Sequence, residues 1–163
     1  MTMAEINQLT PGEFVARVGW VFEESPWVAE RAESARPFDS LETLCEALTR
    51  QVTAASEHEQ LALLQSHPDL GARARVSPAS AREQSLAGLD GLTQAEYDRL
   101  LQLNAAWKRK FGFPFLYAVK GADKYAIMEA LERRLKSSRE REFAEALAQV
   151  FRIARFRLGE IVT

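Results

Sequence analysis

At 163 residues, with 47% hydrophobic and 27% charged side chains, the chain sits near the globular average, which excludes disorder and fibrous structure and leaves room for one domain with a sizeable core. Lysine and arginine number 21 against 23 aspartates and glutamates, a formal charge of −2, so nucleic acid is not an expected partner. The lone Cys45 excludes an internal disulfide, and no membrane-length apolar run or basic apolar leader is present, so a soluble cytoplasmic protein with no membrane partner is expected.

Helix signals follow one another along the chain. Thr10 to Glu13 matches a capping box, in which two side chains satisfy the orphan amides of a helix N-terminus, and predicts a helix over 11–22. Ser25-Pro26 sets a capping hydroxyl before a proline at the first helical position and predicts a second over 26–35. Leu41, Leu44, Cys45 and Leu48 fall at helical spacing in a helix over 41–55, with Cys45 as a core thiol. A box from Ser56 to Glu59 opens 57–66, Ser77-Pro78 opens 78–88, and a box from Thr93 to Glu96 opens 94–110, where Leu100, Leu103 and Trp107 share a face. Lys108-Arg109-Lys110 reads as the solvated end of that helix, whose negative dipole pole favours cations. Helices over 124–136 and 139–161 complete the set, the last opened by Ser137 to Glu140. With strand-like alternation nearly absent, the fold class is all-α: a single-domain bundle of about eight helices over 1–163. The longest non-helical stretches, 67–77 and 111–122, are where chemistry is expected.

The first of these loops carries Ser66-His67-Pro68-Asp69-Leu70-Gly71. Pro68 pushes His67 out of the helical region and Gly71 lets the chain turn again, so the imidazole is held at a helix end. Histidine titrates nearest neutrality, so a fixed His67 is suited to trade a proton with a substrate. Beyond it, Ser80, Glu83 and Gln84 share one helix face, and Leu86 and Leu89 near that face suggest that the trio is partly covered. In the second loop, Phe111-Gly112-Phe113-Pro114-Phe115 sets three rings around a helix-ending glycine and a proline that prevents an immediate restart. The extended backbone that follows has N–H and C=O groups suited to a flat, amide-rich ligand. On the last predicted helix, Phe143, Val150, Ala154, Arg157 and Ile161 lie within about 40° of one direction, so Arg157 interrupts an apolar stripe. A guanidinium there needs an anion, and a protein carboxylate or a bound ligand would serve. No metal-ligand spacing, phosphate-cradling loop, nucleophile elbow or dinucleotide fingerprint appears, which leaves a site without metal or cofactor.

Taken together, these motifs resemble the 2-oxo-4-hydroxy-4-carboxy-5-ureidoimidazoline decarboxylases of urate degradation. Ser66 to Gly71 resembles that family's His-Pro-x-Leu-Gly element, and Ser80-Ala81-Arg82-Glu83-Gln84 its Ser-x-x-Glu-Gln element, with Ala87-Gly88-Leu89 following. Leu103-Asn104, Lys110-Phe111-Gly112-Phe113-Pro114-Phe115 and Arg157-Leu158 match further elements in the same order, while Trp107 stands where tyrosine is expected. The resemblance implies an all-helical homodimer that decarboxylates the ureidoimidazoline to (S)-allantoin without a cofactor. It implies His67 as the proton-transferring residue with Glu83 as its partner. It further implies substrate contacts from Pro68, from Ser80, Ala81, Arg82, Glu83 and Gln84, from the backbone of Phe115, Leu116, Tyr117, Ala118 and Val119, and from Arg157. A helical ligand-binding module, or a decarboxylase or hydrolase of another small ureido compound, is the alternative.

Overall fold

A computed structural model describes residues 1–72 and 77–163, and every regular element among them is helical. The α-helices are α1 (Met3–Gln8), α2 (Pro11–Val18), α3 (Trp27–Ala32), α4 (Leu41–Ala54), α5 (Glu57–Gln65), α6 (Pro78–Leu86), α7 (Gln94–Phe111), α8 (Lys124–Arg134) and α9 (Arg139–Ile161). Single 3-10 turns extend α2 over Gly19–Val21 and α3 over Glu33–Ala35, where unbroken helices are expected from sequence.

Local chemistry accounts for most helix starts. Thr10, Ser56 and Thr93 each accept the amide three residues on, from Glu13, Glu59 and Glu96, whose carboxylates reach back to close the box. Ser77 caps α6 by accepting the Ser80 amide. Two expected caps differ. Ser25 Oγ donates to Glu23 O at 2.8 Å, so α3 starts at Trp27 with no side-chain cap. For α9 the capping hydroxyl is that of Ser138 rather than Ser137, accepting the Arg141 amide at 3.2 Å. The unexpected α1, six residues long, is opened by a box between Thr2 and Glu5; its brevity hides it from periodicity, which needs several turns.

By contact density the chain forms two compact units, Met1–Ser66 with Val150–Thr163, and His67–Gln149. In the first, α2, α3 and α4 bury Phe14, Val18, Val28, Ala29, Leu44 and Leu48 completely or nearly so. Cys45 is half-buried rather than a core thiol, because Arg155 reaches its Sγ on the way to Glu42; burial pushes the thiol's pKa up.

The second unit is organised around α7. Its Leu100, Leu103, Asn104, Trp107 and Phe111 are buried in steps of three and four residues. Trp107 meets Phe111 at 4.3 Å and, edge-on, Phe115 at 5.0 Å, while Phe113 meets Phe143 edge-on at 5.8 Å. Gly112 ends α7 at φ 81°, the left-handed conformation that glycine adopts without strain. Of the cationic run before it, Lys110 Nζ donates to Leu135 O at the end of α8.

Candidate active site

The loop carrying His67 is fixed from both ends. Helix α5 stops when the Ser66 amide bonds Ala62 O and Leu63 O, and the Ser66 hydroxyl lies 2.8 Å from Glu23 O. Pro68 cannot continue the helix, and His67 is left with 7% of its surface exposed. Further on, one peptide unit is gripped from opposite sides. The Leu70 carbonyl accepts from Asn104 Nδ2 at 3.0 Å, and the amide of the same peptide, on Gly71, donates to Gln84 Oε1 at 2.8 Å. A trans amide points its oxygen and hydrogen in opposite directions, so α7 and α6 hold this plane between them. Asn104 Oδ1 is buried with no hydrogen-bond partner among the described residues.

Gln84 therefore presents its amide in one orientation, with Oε1 committed to the backbone and the two N–H donors of Nε2 suited to a ligand carbonyl. Ser80 and Gln84 are buried and Glu83 half-buried on the same helix. Ala81 and Arg82, between them, have exposed side chains. Leu86 does not cover the trio: α6 ends there and the side chain is 83% exposed, while the turn through Gly88, at φ 82°, brings Leu89 into the core instead. A cavity of about 350 Å³ lies along Gly71, Ala72, Ala81, Gln84, Ser85, Leu89 and Asp90. The stretch 73–76 of the predicted first loop lies outside the described residues.

The segment Phe115 to Val119 follows the aromatic block and, Tyr117 apart, is buried. Leu116 O accepts from Arg134 Nη1 at 2.9 Å, and the Ala118 amide donates to Gln149 Oε1 at 2.8 Å. Phe115 and Tyr117 stack at 6.1 Å, as alternate residues of an extended chain do. Helix α7 brings the two loops together: Asn104 holds Leu70, and Trp107, about 4.5 Å further along the axis, packs on Phe115.

Arg157 belongs to the first unit, where it is 2% exposed. Its Nη1 donates to Glu23 Oε2 at 3.1 Å and to Val21 O at 3.3 Å, so an internal carboxylate answers its charge. Glu23 sits in a tight turn whose next residue, Glu24, has a φ of 44°, a strained position for a residue with a Cβ. Among the described residues no group of three or more His, Cys, Asp or Glu side chains is placed to hold a metal.

Several residues that shape the site carried no signal of their own in sequence. Glu23, Arg134, Glu142 and Gln149 are all buried polar groups, but each looks like an ordinary solvated residue until its partner is known. On α9, Glu142 and Gln149 lie about 100–120° from the direction of Phe143, off the stripe that carries Arg157, so the narrow apolar stripe did not mark them although both are buried.

A buried imidazole on a loop held by Asn104 and Gln84, buried Ser80 and Gln84 on α6, and a pinned backbone from Leu116 to Ala118 define an all-helical protein with a polar candidate site. The chain belongs to the OHCU decarboxylase family, whose model matches residues 7–159. It is 46% identical over 99% of its length to the uric acid degradation bifunctional protein PucL of Bacillus subtilis, of which it spans 33%. A 2-oxo-4-hydroxy-4-carboxy-5-ureidoimidazoline decarboxylase of Haloferax volcanii is 45% identical, over 98% of this chain and 95% of its own. Among solved structures, an (S)-allantoin synthase superposes with a TM-score of 0.82 at 30% identity, covering all of this chain and 54% of that one.

Proposed function

We propose that residues 1–163 act as one catalytic domain that converts 2-oxo-4-hydroxy-4-carboxy-5-ureidoimidazoline to (S)-allantoin and CO2, a step of urate degradation. The observation that carries this reading is the buried His67 on a loop whose Leu70–Gly71 peptide is clamped by Asn104 and Gln84, in a chain matched by the decarboxylase family over 7–159. Loss of CO2 leaves a bonding pair on the ring carbon that held the carboxylate. The substrate's adjacent C=N takes up that pair, so the reaction needs orientation and proton transfer and no electron sink from a cofactor. The hydroxyl must then become a carbonyl, and a proton must reach one face of the carbon bearing the ureido group.

In this scheme His67, partnered by Glu83, exchanges the proton with the hydroxyl beside the departing carboxylate, and its burial and clamped backbone favour delivery to a single face. Gln84 Nε2 donates to a ureido or ring carbonyl, Ser80 adds a hydroxyl, Pro68 walls the pocket, and backbone groups between Phe115 and Val119 bind the ring's polar edge. Ala81, which lines the cavity, and Arg82 complete the contacts assigned to α6. Arg157, oriented by Glu23, is assigned to a substrate oxygen, the carboxylate being the natural choice; family resemblance supports this assignment.

We also place the protein in the cytoplasm as a homodimer. No described helix is long and apolar enough to cross a membrane, and the exposed Leu86 and Tyr125 are suited to a subunit contact. The decisive experiment mixes purified protein with freshly generated ureidoimidazoline and follows its disappearance and the product's optical activity. Accelerated loss with only (S)-allantoin formed is expected; an unchanged rate or a racemic product overturns the reading. His67→Ala should lose most of that activity with helical circular dichroism unchanged, and full retained activity would remove His67 from its role.

A further inference from the structure

The backbone from Phe115 to Val119, assigned to the ring's polar edge, needs a frame of its own. A stretch without helical or sheet hydrogen bonds has many accessible conformations, and ordering it during binding would cost affinity. The frame comes from α8 and α9. Arg134, itself buried, donates through Nη1 to Leu116 O, lies over the rings of Phe115 and Trp107 at 4.8 and 5.5 Å, and is held through Nε by both oxygens of Glu142 at 3.1 Å. Two residues along the segment, Gln149 Oε1 accepts the Ala118 amide, while its Nε2 donates to Glu145 Oε1 at 2.8 Å. That second bond settles which end of the amide faces Ala118.

We propose that Arg134 and Gln149 are positioning residues for substrate binding, fixing one edge of the segment so that its other edge meets the ligand. In an extended chain the N–H and C=O groups of alternate residues lie on the same edge. Leu116 O and Ala118 N–H are occupied by the frame, and Val119 O accepts the Ala122 amide at 3.0 Å. Polar contact with the ring therefore falls to the N–H and C=O of Phe115 and Tyr117 and the N–H of Val119. This assignment rests on the decarboxylase reading and narrows it, from five backbone residues to three.

Arg134 is a poor residue to test, because removing it strands the buried Glu142 carboxylate and threatens folding. Gln149 can be tested cleanly. KM does not depend on how much of the enzyme is folded, so a purely structural loss lowers apparent kcat and leaves KM alone. Gln149→Met, similar in size but without the acceptor, should raise KM for the ureidoimidazoline about tenfold with kcat within about twofold, tenfold being about 1.4 kcal/mol, the scale of one net hydrogen bond. Gln149→Glu alone places two carboxylates side by side and should also raise KM. Combining it with Glu145→Gln reverses donor and acceptor, restores both bonds, and should return KM to within about twofold of wild type. A wild-type KM in Gln149→Met, a fall confined to kcat, or failure of the swap to restore KM overturns the proposal. Hydrogen exchange at the Ala118 amide separates this failure from that of the parent reading. Faster exchange in Gln149→Met with unchanged KM removes the substrate role alone, whereas a wild-type protein without turnover removes the decarboxylase reading and this assignment with it.

Discussion

Gly71 is the residue on which the histidine loop turns. Its φ of 76° is strained for any L side chain, and a Cβ there would meet Leu100 Cδ2 at 2.5 Å. The same residue's amide is the one Gln84 accepts, so space, backbone angle and hydrogen bond all fix this position. Gly71→Ala should therefore cost about 2 kcal/mol or more, combining the left-handed penalty with overpacking against α7. Urea denaturation measures the loss, and a wild-type midpoint would contradict it. The sequence marks Gly71 as a turn residue; its collision with Leu100, 29 positions away, appears only once α7 is packed against the loop.

Among the elements, the helix starts give the clearest account of pH dependence. Glu13 has its pKa lowered by the Thr10 hydroxyl and amide, Glu59 by Arg31 and then the Ser56 amide, and Glu96 by Lys124 and then the Thr93 amide. Each carboxyl is held below 4.5 when folded, so the stability it adds is present above about pH 4.5 and is lost as pH falls through the lower folded values. Thermal midpoints should drop on acidification from neutral pH to about pH 3, and less steeply in a triple Glu→Gln variant at 13, 59 and 96, since glutamine keeps the box without the charge. Equal slopes in the two proteins would show that other carboxylates govern acid unfolding. These caps are legible in sequence because each joins residues three apart. Ser25 misleads because its hydroxyl has a closer acceptor in Glu23 O, which the strained turn at Glu24 presents to it.

At the level of the whole molecule, the homodimer remains the proposal with the most direct measurement. Leu86 is 83% exposed and Tyr125 66%, two large side chains open to a second copy. Light scattering should give twice the 18.3 kDa mass of one chain; a single-chain mass at micromolar concentration would refute the dimer.

By itself the sequence determined the all-helical fold class and most helix positions, and it singled out both loops and His67 with its polar helix as the candidate site. All of these rest on spacings of a few residues or on motifs read as a string. Only the tertiary structure decided that Asn104 and Gln84 grip one peptide, that Glu23 answers Arg157, and that Arg134 and Gln149 hold the Leu116 to Ala118 backbone. A buried polar residue is defined by its partner, and these partners lie between 13 and 134 positions away in the chain, where no local pattern reaches.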